Sequence, residues 1–186
     1  VWTQGGDSFS RITSADNVEG HVSDQATIWR WREDFQNDFA ARMAWTVVAH
    51  EEGNHPPTVV VNGEAGISPL TYSLAEGASL RLDATASTDP DGDALAFRFI
   101  AYAEAGFEGQ VPPPEFVIEH KSEGEVEVTV GSRCAKSWLE AFECPGRNAG
   151  HIVVAATDAG SPPVTRYRRV IITATKSGES GTGRQD

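Results

Sequence analysis

From Thr58 onward the chain runs in short rows that alternate apolar and polar residues, and few folds accept that pattern. Val59 and Val61 begin the first row. Leu80 and Leu82 alternate with Ser79 and Arg81, and Leu95, Phe97 and Phe99 with Ala94, Ala96 and Arg98. Val126, Val128 and Val130 alternate with Glu125, Glu127 and Thr129. Ile152, Val154 and Ala156 form a further row. Val170, Ile172 and Ala174 form the last, opposite Arg169, Ile171 and Thr173. Successive strand side chains point to opposite faces, so each row has one face for a core and one for water. About seven such runs separated by turns predict a mostly β domain over 54–175, an antiparallel β-sandwich of immunoglobulin type. No Cys…Trp…Cys framework is present, which excludes an antibody-type domain.

Ahead of the rows lies one amphipathic helix, predicted over 27–48. Ile28, Trp31, Phe35, Phe39 and Arg42 follow three- and four-residue steps, with Met43 and Thr46 beside them. Asp24 or Thr27 suits the N-cap. Arg30, Glu33, Asp34 and Asn37 fall off this stripe, and Trp29 and Trp45 do not lie squarely on it. So aromatic a helix is expected to dock on a second body, either the sandwich or a domain further upstream. The segment 49–57, AHEEGNHPP, reads as a linker that Gly53 opens and Pro56-Pro57 stiffens, with His50 and His55 solvated.

Between two of the rows stands DPDGD. Asp89, Asp91 and Asp93 occupy alternate positions, and Pro90 and Gly92 set a sharp turn. Carboxylates this close repel unless splayed into water or neutralised. Ca2+ takes oxygen ligands in such loops, and Asp83 and Asp158 would add two more if the sandwich gathers their loops at one end. A turn held by Asx-type hydrogen bonds without metal accounts for the same text. The bidentate Glu of a helix-loop-helix calcium loop is missing.

Two insertions interrupt the rows: 105–114, rich in Gly and Pro, and 131–150. The second contains Cys134, Cys144, Trp138 and Phe142. No second Cys or His pair stands at zinc-ligand spacing. A local disulfide or two free thiols remain. The disulfide would place the protein outside the cytosol and contribute about 2–3 kcal/mol. Trp138 and Phe142, four apart, are the candidate carbohydrate-binding pair on a long loop.

The formal net charge of -12 sets the chain against phosphate backbones, so no nucleic-acid partner is expected. No run of about eighteen apolar residues exists for a helix to span a bilayer, and no membrane partner is expected. There is no nucleophile elbow, phosphate loop or H-E-x-x-H, and no catalytic set stands out. The opening VWTQGGDSFS reads as the inside of a longer or processed chain, and the tail 176–186 as a flexible linker.

At TIWRWREDFQNDFAARMAW (27–45), NHPPTVVVNG (54–63), LDATASTDPDGDALAFRF (82–99) and ATDAGSPPVTRYRRVIITA (156–174) the chain resembles a family of secreted cellulose-binding proteins. These have a nucleoside-hydrolase-like N-terminal domain and an immunoglobulin-like C-terminal domain, and DPDGD itself is similar to text in PKD-like and cadherin-like modules. The resemblance implies that 1–50 ends the hydrolase-like domain and 54–175 is the C-terminal module. It implies a secreted, extracellular or periplasmic protein with two partners: the upstream nucleoside-hydrolase-like domain, and cellulose or a related polysaccharide. The catalytic aspartate motif of such a hydrolase is not in this chain. Three functions follow: a non-catalytic carbohydrate-associated module, the C-terminal part of a glycoside or nucleoside hydrolase, or a calcium-braced spacer. The cysteine loop departs from the family pattern.

Overall fold

The alternating rows become two sheets packed face to face. A computed structural model describes residues 16–18, 21–23, 26–102, 105, 113–131 and 149–175. After a small hairpin, β1 (Asp16–Val18) and β2 (His21–Ser23), come helices α1 (Ala26–Trp29) and α2 (Arg32–Ala44). The hairpin of β3 (Val60–Val61) and β4 (Glu64–Ala65) opens the sandwich. It is followed by β5 (Leu70–Ala75), β6 (Ser79–Asp83), β7 (Ala96–Ala101), β8 (Phe116–Ser122), β9 (Glu125–Val130), β10 (Ala149–Thr157) and β11 (Thr165–Thr175). One sheet has the order β5-β11-β10-β7 and the other β6-β9-β8. The domain is an immunoglobulin-like β-sandwich, as the rows require.

The core follows the sequence rows. Leu82 on β6, Val126, Val128 and Val130 on β9, Ile152 and Val154 on β10, and Val170 and Ile172 on β11 are fully buried. Each such side chain contributes roughly 1.5–3 kcal/mol of burial. Two strands were not among the expected rows. In β5, Leu70, Tyr72 and Leu74 alternate with Thr71, Ser73 and Ala75, but over only six residues. In β8 the apolar face, Phe116 and Ile118, gives way to a charged half, Glu119 to Lys121.

One correction concerns direction. β5 runs parallel to β11, from the Val170–Leu70 pair to Thr175–Ala75, so the first sheet is mixed rather than antiparallel. A parallel neighbour cannot be joined by a tight hairpin. Here β5 leads across to β6 in the opposite sheet.

A second correction concerns the helix. It is not continuous over 27–48 but breaks at Arg30 and Trp31. Trp31 sits between two tyrosine rings of the sandwich, edge-on to Tyr102 at 5.9 Å and to Tyr167 at 5.6 Å. Below it the helix docks by Asp34, Asp38 and the buried Ala41, residues mostly off the expected stripe. Phe35, Phe39 and Met43, the centre of that stripe, are 52%, 66% and 53% exposed. Hydrophobic periodicity located the helix, but the charged face orients it. The sandwich is one of the two bodies considered, and α2 packs on it.

Leu82 lies at the centre of this core, fully enclosed by both sheets. Leu82→Ala is expected to cost about 2–5 kcal/mol in a urea titration, while a change at exposed Val117 costs under about 0.5 kcal/mol.

Candidate functional site

Helix α2 covers the outer face of β7, β10 and β11. The register places Arg98, Ala155 and Tyr167 side by side across these strands, with Ile100, Val153 and Arg169 in the next row on that face. Asp34 reaches this surface. Its Oδ2 accepts from Arg98 Nη2 at 2.6 Å and from the Tyr167 hydroxyl at 2.5 Å, and its Oδ1 accepts from Thr165 Oγ1 at 3.2 Å. One turn on, Asp38 accepts from Arg166 Nη1 at 2.9 Å and from Arg42 Nε at 2.6 Å. Between helix and sheet remains a cleft of about 560 Å3, with Trp31, Phe35, Tyr102 and Tyr167 on its aromatic side and Asp34, Asp38, Arg42, Arg166 and Arg169 on its polar side. The Arg30 guanidinium lies 5.9 Å from the ring centres of both Trp31 and Tyr102.

Electrostatics fix the protonation of this cleft. The hydrogen bond from Arg42, with help from Arg166, holds the Asp38 carboxyl below its ordinary value. Burial, followed by the hydrogen bond to Asp34, pushes the Tyr167 phenol well above its ordinary value. The cleft therefore combines aromatic rings with hydrogen-bonded carboxylates and guanidinium donors. Such a surface can stack on a flat apolar ring and hydrogen-bond the hydroxyls around its rim. Carboxylates already held by arginines are poor proton donors.

The polar residues of this cleft and its two tyrosines were not picked out in the sequence as a site. The signal was present in the charge pattern, since an acidic helix segment (Glu33, Asp34, Asp38) and a basic strand (Arg166, Arg168, Arg169) are complementary. The aromatic partners Tyr102 and Tyr167 had no local signature.

The aspartates chosen from the sequence divide into two places. Asp89 Oδ1 accepts from the backbone N–H of Asp91 at 2.9 Å and of Asp93 at 3.3 Å, which is the Asx-type turn. Gly92, at φ +83°, supplies the left-handed residue that this turn requires. Asp91 is held by His55 through the backbone N–H at 2.6 Å and ring Nδ1 at 2.8 Å, and the backbone contact, the larger effect, lowers its pKa. Asp158 Oδ1 accepts from Asn54 Nδ2 at 3.1 Å and from the N–H groups of Gly160 and Val164 at 3.0 and 2.9 Å. Two consecutive residues, Asn54 and His55, thus tie the Asp158 turn and the DPDGD turn to one strip of backbone. Asp83 stands apart, accepting from Thr85 N–H and Oγ1 at 2.9 and 2.6 Å and paired with Arg81 at 3.3 Å. Among the described residues no three His, Cys, Asp or Glu side chains already stand in a metal-holding arrangement. Trp138, Phe142, Cys134 and Cys144 lie outside the described residues.

With the fold and both clusters in place, comparison with known proteins is informative. The family model described as "Cellulose-binding protein Sde0182, C-terminal domain" matches residues 79–174. The chain belongs to this family. No curated protein matches the sequence. Among solved structures the chain is similar to a nucleoside hydrolase-related hypothetical protein from Saccharophagus degradans that is associated with carbohydrate metabolism. The identity is 28% and the TM-score 0.65, over 87% of this chain and 40% of that one. The chain thus spans well under half the length of that relative. Cadherin repeats EC21-23 of human CDH23 match at 17% identity and a TM-score of 0.37, over 64% of this chain and 35% of that one. That level of likeness carries no functional argument.

In this cellulose-binding-family domain, Asp34 is the joint between helix and sheet. Asp34→Ala leaves the Arg98 guanidinium and the Tyr167 hydroxyl without their acceptor. Amide exchange across α2 should accelerate by about tenfold or more while β9 stays protected, a local loss of roughly 1–3 kcal/mol. Tyr167 gives a pH signature. Its folded pKa lies above the unfolded value of 10.0, so its stabilising contribution is complete below pH 10 and is lost as pH rises towards the folded value. Stability measured from pH 9 to 12 should fall more steeply in the wild type than in Tyr167→Phe.

Proposed function

We propose that the chain is a non-catalytic accessory module that meets a polysaccharide, cellulose or a related glycan, in the cleft between α2 and the outer sheet. The observation that carries this reading is the Trp31–Tyr102–Tyr167 wall facing fixed carboxylates and guanidinium groups. A pyranose has apolar C–H faces and a rim of hydroxyls, and the cleft offers a partner for each. The family's name for cellulose binding and the relative's association with carbohydrate metabolism support the same class of ligand.

The non-catalytic part rests on the carboxylates. Asp34 and Asp38 line the cleft, but each is tied to arginine. A glycosidase needs one carboxyl that carries a proton, and Asp38 is shifted the opposite way. In a longer protein, the module would serve an upstream nucleoside-hydrolase-like domain, for which the structural relative is the support. A secreted, extracellular or periplasmic location fits a polysaccharide partner.

The test is retention on insoluble cellulose. Wild-type protein should be retained, and Tyr102→Ala should weaken retention by about three- to tenfold through loss of one stacking ring. If Trp138→Ala abolishes retention and Tyr102→Ala leaves it unchanged, the contact belongs to the 131–150 loop and the cleft reading fails. If the wild type is not retained on cellulose or on related insoluble glycans, the binding function itself fails.

A further inference from the structure

We propose that Asp89, Asp93 and Asp158 hold a divalent cation, Ca2+ by preference, where the DPDGD turn meets the β10–β11 turn. The inference is independent of the glycan reading and begins with two oxygens. Asp158 is only 4% exposed, and its Oδ2 is buried with no hydrogen-bond partner among the described residues, although its Oδ1 has three. Asp89 repeats the arrangement, with Oδ1 engaged by two backbone N–H groups and Oδ2 buried and unpartnered. An ionised oxygen removed from water without a donor is costly, and a cation is one of the few groups that satisfy two of them together.

The backbone brings these groups to one corner. Asn54 grips Asp158 while its neighbour His55 grips Asp91, so the two aspartate turns flank a single dipeptide. Thr58 and Thr88 pair reciprocally beside them, at 2.8 and 3.1 Å. Gly160 allows the approach, since a Cβ there would lie 2.2 Å from the Asn54 carboxamide. Asp93 lies within electrostatic reach of Asp89, Asp158 and Asp91, so the corner is already a field of like charge. His55 hydrogen-bonds Asp91, and among the described residues no Lys or Arg pairs with Asp89, Asp93 or Asp158.

Ca2+ suits the corner better than Mg2+. Three carboxylates from two turns, with carbonyls and water completing the shell, give the irregular oxygen-rich set that Ca2+ tolerates, whereas Mg2+ demands a near-ideal octahedron. No three of these side chains yet stand at ligand spacing, so binding entails a small closure of the DPDGD turn upon Asp158.

The experiment uses the whole chain, stripped with chelator and held at fixed high ionic strength so that screening of the net charge is constant. CaCl2 is titrated calorimetrically, and Tm is read with and without it. Saturating Ca2+ should give a binding heat near one equivalent and raise Tm by about 5 °C. Asp89→Asn and Asp158→Asn keep the Oδ1 acceptor that holds each turn but remove the charge, and each should abolish the Tm shift. Asp83→Asn should retain it in full. An absence of both heat and shift at about 5 mM free Ca2+ overturns the proposal. So does an equal response to Mg2+, or a shift that survives in both corner variants. If Asp158→Asn fails to fold, Asp89→Asn and the wild-type calorimetry decide.

Discussion

The position of α2, and with it the shape of the cleft, depends on the carboxylate of Asp34. It gathers a guanidinium, a phenol and a threonine hydroxyl from β7 and β11 onto one helix. Its side chain is 13% exposed, while its partner Arg98 is 45% exposed. That asymmetry matters. A wholly buried pair must offset the desolvation of both ions and often fails to. A wholly exposed pair contributes little. Here the carboxylate loses most of its water but has three donors in exchange, and the guanidinium keeps much of its own hydration. The contact is therefore directional as well as favourable, and it sets how far the helix stands from the sheet.

The same contact explains which features were legible in the sequence. A core records itself in periodic text, because every second residue must be apolar, and six rows were readable for that reason. A helix docked through ion pairs leaves no period. Reading α2 by its apolar stripe turned the wrong face inward, since Phe35, Phe39 and Met43 satisfy the helical pattern while Asp34 and Asp38 make the contacts. Tyr102 and Tyr167 stand far from Trp31 in sequence, and only the pairing of β7, β10 and β11 brings them together. The DPDGD turn was legible because its constraint is local. Its division of labour was not, because the residues that divide it, Asn54 and His55, arrive from the linker. Asp83 shows the limit of proximity in sequence: it precedes the turn by only a few residues yet belongs to a separate set of hydrogen bonds with Thr85 and Arg81.

The linker 49–57 joins the two clusters physically. Trp45, just past the end of α2, donates its Nε1–H to the carbonyl of Asn54 at 2.8 Å and stacks over His55, whose ring also meets that of His50. Asn54 and His55 are the residues that hold the two aspartate turns. The helix is thus fixed twice, near its start by Asp34 on the outer sheet and at its end by Trp45 on the aspartate corner. Fixing a helix at both ends restrains its tilt as well as its distance from the sheet.

A restraint of this kind links the chemistry of the two places. Tightening of the Asp89–Asp93 turn upon Asp158, if a cation drew them together as proposed, would reach Asn54 and His55 through hydrogen bonds of 2.6 to 3.1 Å, and from Asn54 the indole of Trp45. The far end of α2 would then have less freedom to rock, and the aromatic wall at its near end would lose less conformational entropy when a ligand stacks on it. Entropy removed in advance is not lost again on binding. A charged corner remote from the cleft therefore has a physical route to the affinity of the cleft, and the route runs through named hydrogen bonds.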